Sequence, residues 1–143
     1  MPTSGKRADR LLVDTSAAVA LVVSDHRDHA ATVRALGDRE LGLAGHAAFE
    51  TFSVLTRLPG AARRTPAAVS RLLVANFPHT RFLSEEAAAA LLANLAGSGI
   101  AGGSVYDALV GAAAAEHRLA LASRDRRALD VYRALGVDVE LLA

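Results

Sequence analysis

Short apolar runs alternate with helix-length segments along this chain, and no other feature of the sequence constrains its fold as much. Leu11, Leu12 and Val13 form one such run, closed by Asp14. A run this short and apolar, ending in a polar residue, reads as a buried strand. Comparable runs lie at 40–43, 81–83, 119–123 and 137–142. Between them the pattern predicts helices at 17–23, in a segment ending near Gly37, at 44–58, at 66–77, from Ser84 to Gly97, from Ser104 to about Arg118, and at 126–135. The helix starts carry their own signals. Asp14, Thr15 and Ser16 can each cap the first helix, Thr65 precedes Pro66, and Ser84 precedes Glu85 and Glu86. An oxygen-bearing cap satisfies free N–H groups, proline suits the first helical position, and acids favour the positive end of the helix dipole. Strands separated by helices cannot close as hairpins. They form a mostly parallel central sheet with helices on both faces, an α/β fold of three layers, α/β/α.

The chain has 143 residues with no composition break, linker or repeat. That suits a single domain, 1–143, with residues 1–9 as a flexible lead-in. Apolar residues make up 52% and charged residues 22%, enough for a core without disulfides, and there is no cysteine to form one. Aromatics are only 4%, so Ala, Leu and Val build that core, and extended stacking on nucleic-acid bases is not expected. No apolar stretch is long enough for a signal peptide or a membrane helix, which leads us to expect a cytoplasmic protein without membrane contact. The net charge of +1 gives no strong global pull on nucleic acid.

Four acids occupy positions that topology can bring together. Asp14 closes the first strand, and sites in parallel α/β sheets form beyond the carboxyl ends of strands. Glu50 lies early in the helix after the second strand. Asp125 follows the 119–123 strand by two residues. Asp107 opens the helix that leads into that strand; the helix runs antiparallel to it, so its N-terminus returns to the same edge. Each acid alone has a plain reading as a cap, a dipole partner or a solvated side chain. Together, four carboxylates repel one another unless a cation sits among them, and hard Mg²⁺ or Mn²⁺ prefers oxygen ligands. Such ions serve phosphodiester hydrolysis. Ser16 and Ser123, two residues from Asp14 and Asp125, could orient a carboxylate or a water. Arg124, Arg126 and Arg127 flank Asp125, where they could grip RNA phosphates or merely balance charge.

The segments around these acids resemble the PIN-domain family, in particular its VapC-like toxin branch. The pieces are LLVDTSAAVALV at 11–22, HAAFETFSVLTRL at 46–58, VYDALVGAAAAEHRLALASRDRRAL at 105–129, and the closing VDVELL. The resemblance implies a PIN-like fold over nearly all of the chain after residue 10. It implies that Asp14, Glu50, Asp107 and Asp125 bind one or two Mg²⁺ or Mn²⁺ ions and hydrolyse RNA phosphodiester bonds. The residue two before the last Asp is commonly Thr in the family; here it is Ser123, which keeps the hydroxyl. The resemblance further implies a homodimer and a cognate antitoxin whose tail covers the acidic pocket.

Other signals are weaker. Gly97, Gly99 and Gly102 spell a dinucleotide fingerprint, but they follow a helix where that motif follows a strand, which leaves a flexible loop beside the site. His46 and Glu50 share a helix face like a zinc pair, yet no third ligand is near, so His46 is expected to face solvent or stand behind a ligand. The stripe Val69, Leu72, Leu73 and Phe77 reads as core or as a groove for a partner helix. Two other functions compete. A catalytically inactive PIN fold would serve as an interaction module. A receiver-like phosphorylation switch would also place an Asp after its first strand, but it needs an adjacent acidic pair and a later lysine, and the only lysine is Lys6.

Overall fold

The computed structural model describes residues 9–143. The expected flexible lead-in, apart from Asp9, lies outside the described residues. The sheet has four strands: β1 Arg10–Val13, β2 Glu40–Leu43, β3 Leu121–Ser123 and β4 Val139–Leu141. Their order across the sheet is β2-β1-β3-β4, and every neighbouring pair is parallel. Among the described residues, seven α-helices connect and cover them: α1 Thr15–Val22, α2 His29–Leu36, α3 His46–Thr56, α4 Pro66–Asn76, α5 Glu85–Ser98, α6 Ser104–His117 and α7 Leu129–Ala134.

Alternation along the strands sorts the core into two faces. Leu11 and Val13 point to one side, with Leu41, Leu43 and Ala122, and are covered by Ala17 and Ala18 of α1, Leu36 of α2 and Phe77. Leu12 and Leu121 point to the other side, against Val110 and Ala114 of α6 and Tyr132 of α7. Successive side chains of a strand face opposite ways, so a sheet buried on both faces requires apolar residues throughout. A smaller cluster, Val23, Leu55 and Val69, closes α3 and α4 against the end of α1. Val69 and Phe77 of the predicted stripe are thus core. Among the described residues, no helix is long and apolar enough to cross a membrane.

The expected strand at 81–83 does not form; only an isolated parallel bridge joins Ala44 and Arg81. The backbone of 79–81 does run beside β2, with the N–H of His79 donating to Leu41 O and that of Arg81 to Leu43 O. The Leu43 N–H, however, donates to the Thr80 hydroxyl at 2.9 Å, so a side chain takes the place of a ladder carbonyl. The approach is close enough that a Cβ on Gly42 would lie 2.1 Å from the His79 carbonyl oxygen. Two smaller differences concern helix ends. Gly97 lies inside α5, and Gly99, with φ 71°, caps it. The segment 126–135 divides into a 3-10 turn, Arg126–Ala128, followed by α7.

Candidate active site

In the order β2-β1-β3-β4 the chain leaves β1 toward both sides, so the carboxyl ends of β1 and β3 flank the switch point of the sheet. Open α/β sheets bind ligands in the crevice there. Asp14 follows β1 and Asp125 follows β3 by two residues. The Asp14 backbone N–H donates to Ala122 O at 3.1 Å, which joins the two strand ends directly.

Asp14 is 3% exposed and accepts four hydrogen bonds. Its Oδ1 accepts from the Ser16 hydroxyl at 2.6 Å and from the Ala17 N–H at 3.1 Å, which makes it the cap of α1. Its Oδ2 accepts from the hydroxyls of Ser123 and of Tyr132, the latter at 2.9 Å. The two serines are themselves oriented by the loop after β3. The Arg124 N–H donates to Ser16 Oγ at 2.9 Å, and the Asp125 N–H donates to Ser123 Oγ at 3.0 Å. With its acceptor side occupied, each hydroxyl turns its proton toward Asp14. Hydrogen bonds of this kind fix a buried carboxylate in place.

The other three acids arrive from separate elements. Glu50 is on α3, which is anchored by its buried residues Ala47, Thr51 and Leu55. Gly45, at φ 50°, sets the entry to α3, and a Cβ there would lie 3.0 Å from the Ala113 Cβ of α6. Asp107 lies in the first turn of α6, where no side chain caps the helix and an acid complements the exposed N–H groups. Asp125 caps the turn after β3, accepting from the Arg127 N–H at 2.9 Å. All four carboxylates, with Thr15, Ser16 and Tyr132, line one cavity of about 90 Å³. Larger and more open concavities exist elsewhere, including an apolar one of about 460 Å³ beside Leu73 and Phe77. The acidic cavity has room for an ion and a few waters, each needing about 30 Å³.

The acids feel one another. The Asp107 carboxyl is held above its ordinary range, first by burial and then by the charges of Asp125, Glu50 and Asp14, with Arg127 opposing. Tyr132 is pushed far above the usual phenol range, first by burial and then by the charge of Asp14, so its hydroxyl is a permanent donor. Tyr132 and Thr15 escaped the sequence reading as site residues. A tyrosine at an apolar position of a terminal helix is the available signal, because a buried hydroxyl must find a partner. Thr15 Oγ1 is buried and has no hydrogen-bond partner in the protein.

A divalent ion fits this donor set. Four carboxylates present only oxygen ligands, their mutual repulsion calls for positive charge, and the orphaned Thr15 hydroxyl calls for a polar occupant. Among the described residues no three His, Asp or Glu side chains stand as a ready-made chelate. Glu50 is the arm free to move inward. Its side chain is 40% exposed and, among the described residues, its ion-pair partner is His46, with Nε2 3.9 Å from Oε1.

The three arginines separate. Arg126 and Arg127 face solvent. Arg124, expected beside the RNA, turns inward instead. Its guanidinium pairs with Asp28 at 3.1 Å and donates to Thr32 Oγ1 and to the Ala143 carbonyl, because the loop after β3 packs onto the start of α2.

The chain is similar to known proteins over most of its length. The PIN domain family matches residues 11–134. Ribonuclease VapC27 of Mycobacterium tuberculosis (strain ATCC 25618 / H37Rv) is 50% identical over 133 residues, 93% of this chain and 97% of that protein. Ribonuclease VapC40 of Mycobacterium tuberculosis is 44% identical over 131 residues, 90% of this chain and 96% of that protein.

Proposed function

This chain belongs to the PIN-domain family, and on that premise we propose that it is a divalent-metal-dependent endoribonuclease, the toxin of a toxin–antitoxin pair. The observation that carries the reading is the cavity at the switch point, where four carboxylates from four parts of the chain meet an unpartnered hydroxyl. Asp14, Glu50, Asp107 and Asp125 are the residues that would hold Mg²⁺ or Mn²⁺. When bound, the ion supplies Lewis-acid charge that offsets the carboxylates, polarises a phosphate and acidifies water.

The chain's own side chains do the remaining work. Ser16, Ser123 and Tyr132 hold Asp14 in one rotamer, so it costs no reorganisation when charge shifts nearby. Thr15 offers the one uncommitted hydroxyl in the cavity, able to orient a water. Arg126 and Arg127 reach solvent beside Asp125 and would take the phosphates that flank the cut. The serine at 123 performs the duty of the more usual threonine, because only its hydroxyl is used.

The relatives are named as VapC ribonucleases, and the partners proposed here suit that likeness. RNA would be the substrate, and a cognate antitoxin would cover the cavity, with a basic side chain offsetting the charge of Asp14, Glu50, Asp107 and Asp125 in place of a metal ion. We also propose a homodimer and a cytoplasmic location, both suited to an enzyme that meets cellular RNA. Purified protein incubated with RNA tests the activity. Cleavage with Mn²⁺, silence with EDTA and silence in Asp125→Asn support the reading; cleavage unaffected by EDTA and retained in Asp125→Asn overturns it.

A further inference from the structure

The chain has four phenylalanines, two tyrosines and no tryptophan. With so few aromatics, burying them would give the largest return per residue. Yet Phe49 is 65% exposed, Phe82 53% and Tyr106 53%. These three are not scattered. Tyr106 stacks on His46, with ring centroids 5.1 Å apart and planes 25° from parallel. Phe49 meets Phe82 at 5.9 Å. Both pairs involve the first turn of α3, but Phe82 lines the apolar concavity beside Leu73 and Phe77, and the His46–Tyr106 pair is the one next to the acids: His46 Nε2 lies 3.9 Å from Glu50 Oε1, and Tyr106 immediately precedes Asp107.

We infer that the His46–Tyr106 pair is a shelf on which one unpaired RNA base stacks while its phosphate enters the acidic cavity. This rests on the ribonuclease reading and assigns a particular ring pair to the holding of an unpaired base. The electrostatics favour it. A polyanion approaching four carboxylates gains little from a net charge of +1, and Arg126 and Arg127 lie on the Asp125 side only. Stacking supplies affinity that does not depend on charge, and every base offers a π-face. His46 covers part of the Tyr106 ring; the rest faces solvent. In an A-form duplex the bases are stacked inward and cannot reach such a shelf, whereas unpaired bases can be splayed onto it. The low aromatic content excluded an extended stacking platform. A single step beside the cutting site needs only one ring pair.

The test uses the full chain carrying Asp125→Asn, so that the probe survives. Fluorescein-labelled oligoadenylate and a perfectly paired RNA hairpin are titrated, with binding read by anisotropy and native mass by light scattering. Adding Tyr106→Ala is expected to weaken oligoadenylate binding by about tenfold to a hundredfold, with hairpin binding unchanged. Tyr106→Phe, which keeps the π-face, is expected to restore parent affinity. Unchanged oligoadenylate binding in Tyr106→Ala overturns the inference, as does an equal loss for strand and hairpin. A drop in native mass that accounts for the loss also overturns it, since the ring would then be a contact between two copies of the chain. These arms do not require cleavage, so a protein that binds through the shelf but never cuts RNA refutes the ribonuclease reading separately.

Discussion

The Tyr132 hydroxyl donates to Asp14 Oδ2 at 2.9 Å, linking the last helix to the end of the first strand across 118 residues. Tyr132 is 2% exposed, so it is withdrawn from bulk solvent. Tyr132→Phe keeps the ring and removes one of four donors to a buried carboxylate. Urea denaturation is expected to show a loss of about 1.5–3 kcal/mol, the usual cost of a hydrogen bond to a charged group. RNA cleavage should fall with it, because Asp14 loses part of what fixes its rotamer.

Asp107 gives a prediction of opposite sign. Burial, then Asp125, Glu50 and Asp14, raise its carboxyl above the ordinary value of 3.8. The folded protein therefore binds this proton more tightly than the unfolded chain does. That contribution to stability is complete below the unfolded value and is lost as pH rises through the raised folded one. In EDTA at neutral pH, Asp107→Asn should melt higher than the parent, by roughly 2–4 °C per kcal/mol relieved. The gain should vanish near pH 3. Cleavage should fall by about a hundredfold or more if the carboxylate serves the reacting centre, a loss comparable to removing one such electrostatic group.

Arg124 and Arg127 are three residues apart and should behave differently. Arg124→Ala breaks contacts to Asp28, Thr32 and the Ala143 carbonyl, and should cost about 1–3 kcal/mol of stability with little change in the salt dependence of RNA binding. Arg127→Ala should leave stability within about 0.5 kcal/mol, since its side chain is 93% exposed. It should instead reduce the slope of log affinity against log salt by nearly one, the signature of one lost phosphate contact. Melting curves and salt titrations of the two variants separate the roles.

Gly42 tests the edge of the sheet. A Cβ there would stand 2.1 Å from the His79 carbonyl oxygen, and a backbone atom cannot swing aside as a side chain can. Gly42→Ala should destabilise by about 2 kcal/mol or more, measured by urea denaturation, and should detach 79–81 from β2.

Much of this was readable from the chain because it is local. The caps at Asp14, Thr65 and Ser84 are set by their own next few residues, and each accepts the N–H the sequence promised. Strand direction needed only the rule that helix-linked strands run parallel, and from it came the shared edge for Asp14, Glu50, Asp107 and Asp125; the order β2-β1-β3-β4 came from the structure. What stayed hidden depends on contacts between distant segments. No pattern near residue 132 announces that its hydroxyl meets Asp14. Nothing near residue 124 says that its guanidinium finds Asp28. The strand expected at 81–83 failed because the Thr80 hydroxyl captured the Leu43 N–H, an exchange that apolar periodicity cannot register.

The central claim is that four carboxylates from distant segments act together on one hard cation. Equilibrium titration of Mn²⁺ into the metal-free protein, followed by the loss of its free EPR signal, measures this without reference to RNA. We expect saturable binding in the parent and at least a tenfold weakening in Asp107→Asn and in Asp125→Asn, with both variants folded. Binding of equal strength in all three proteins, or none in the parent, would contradict the account.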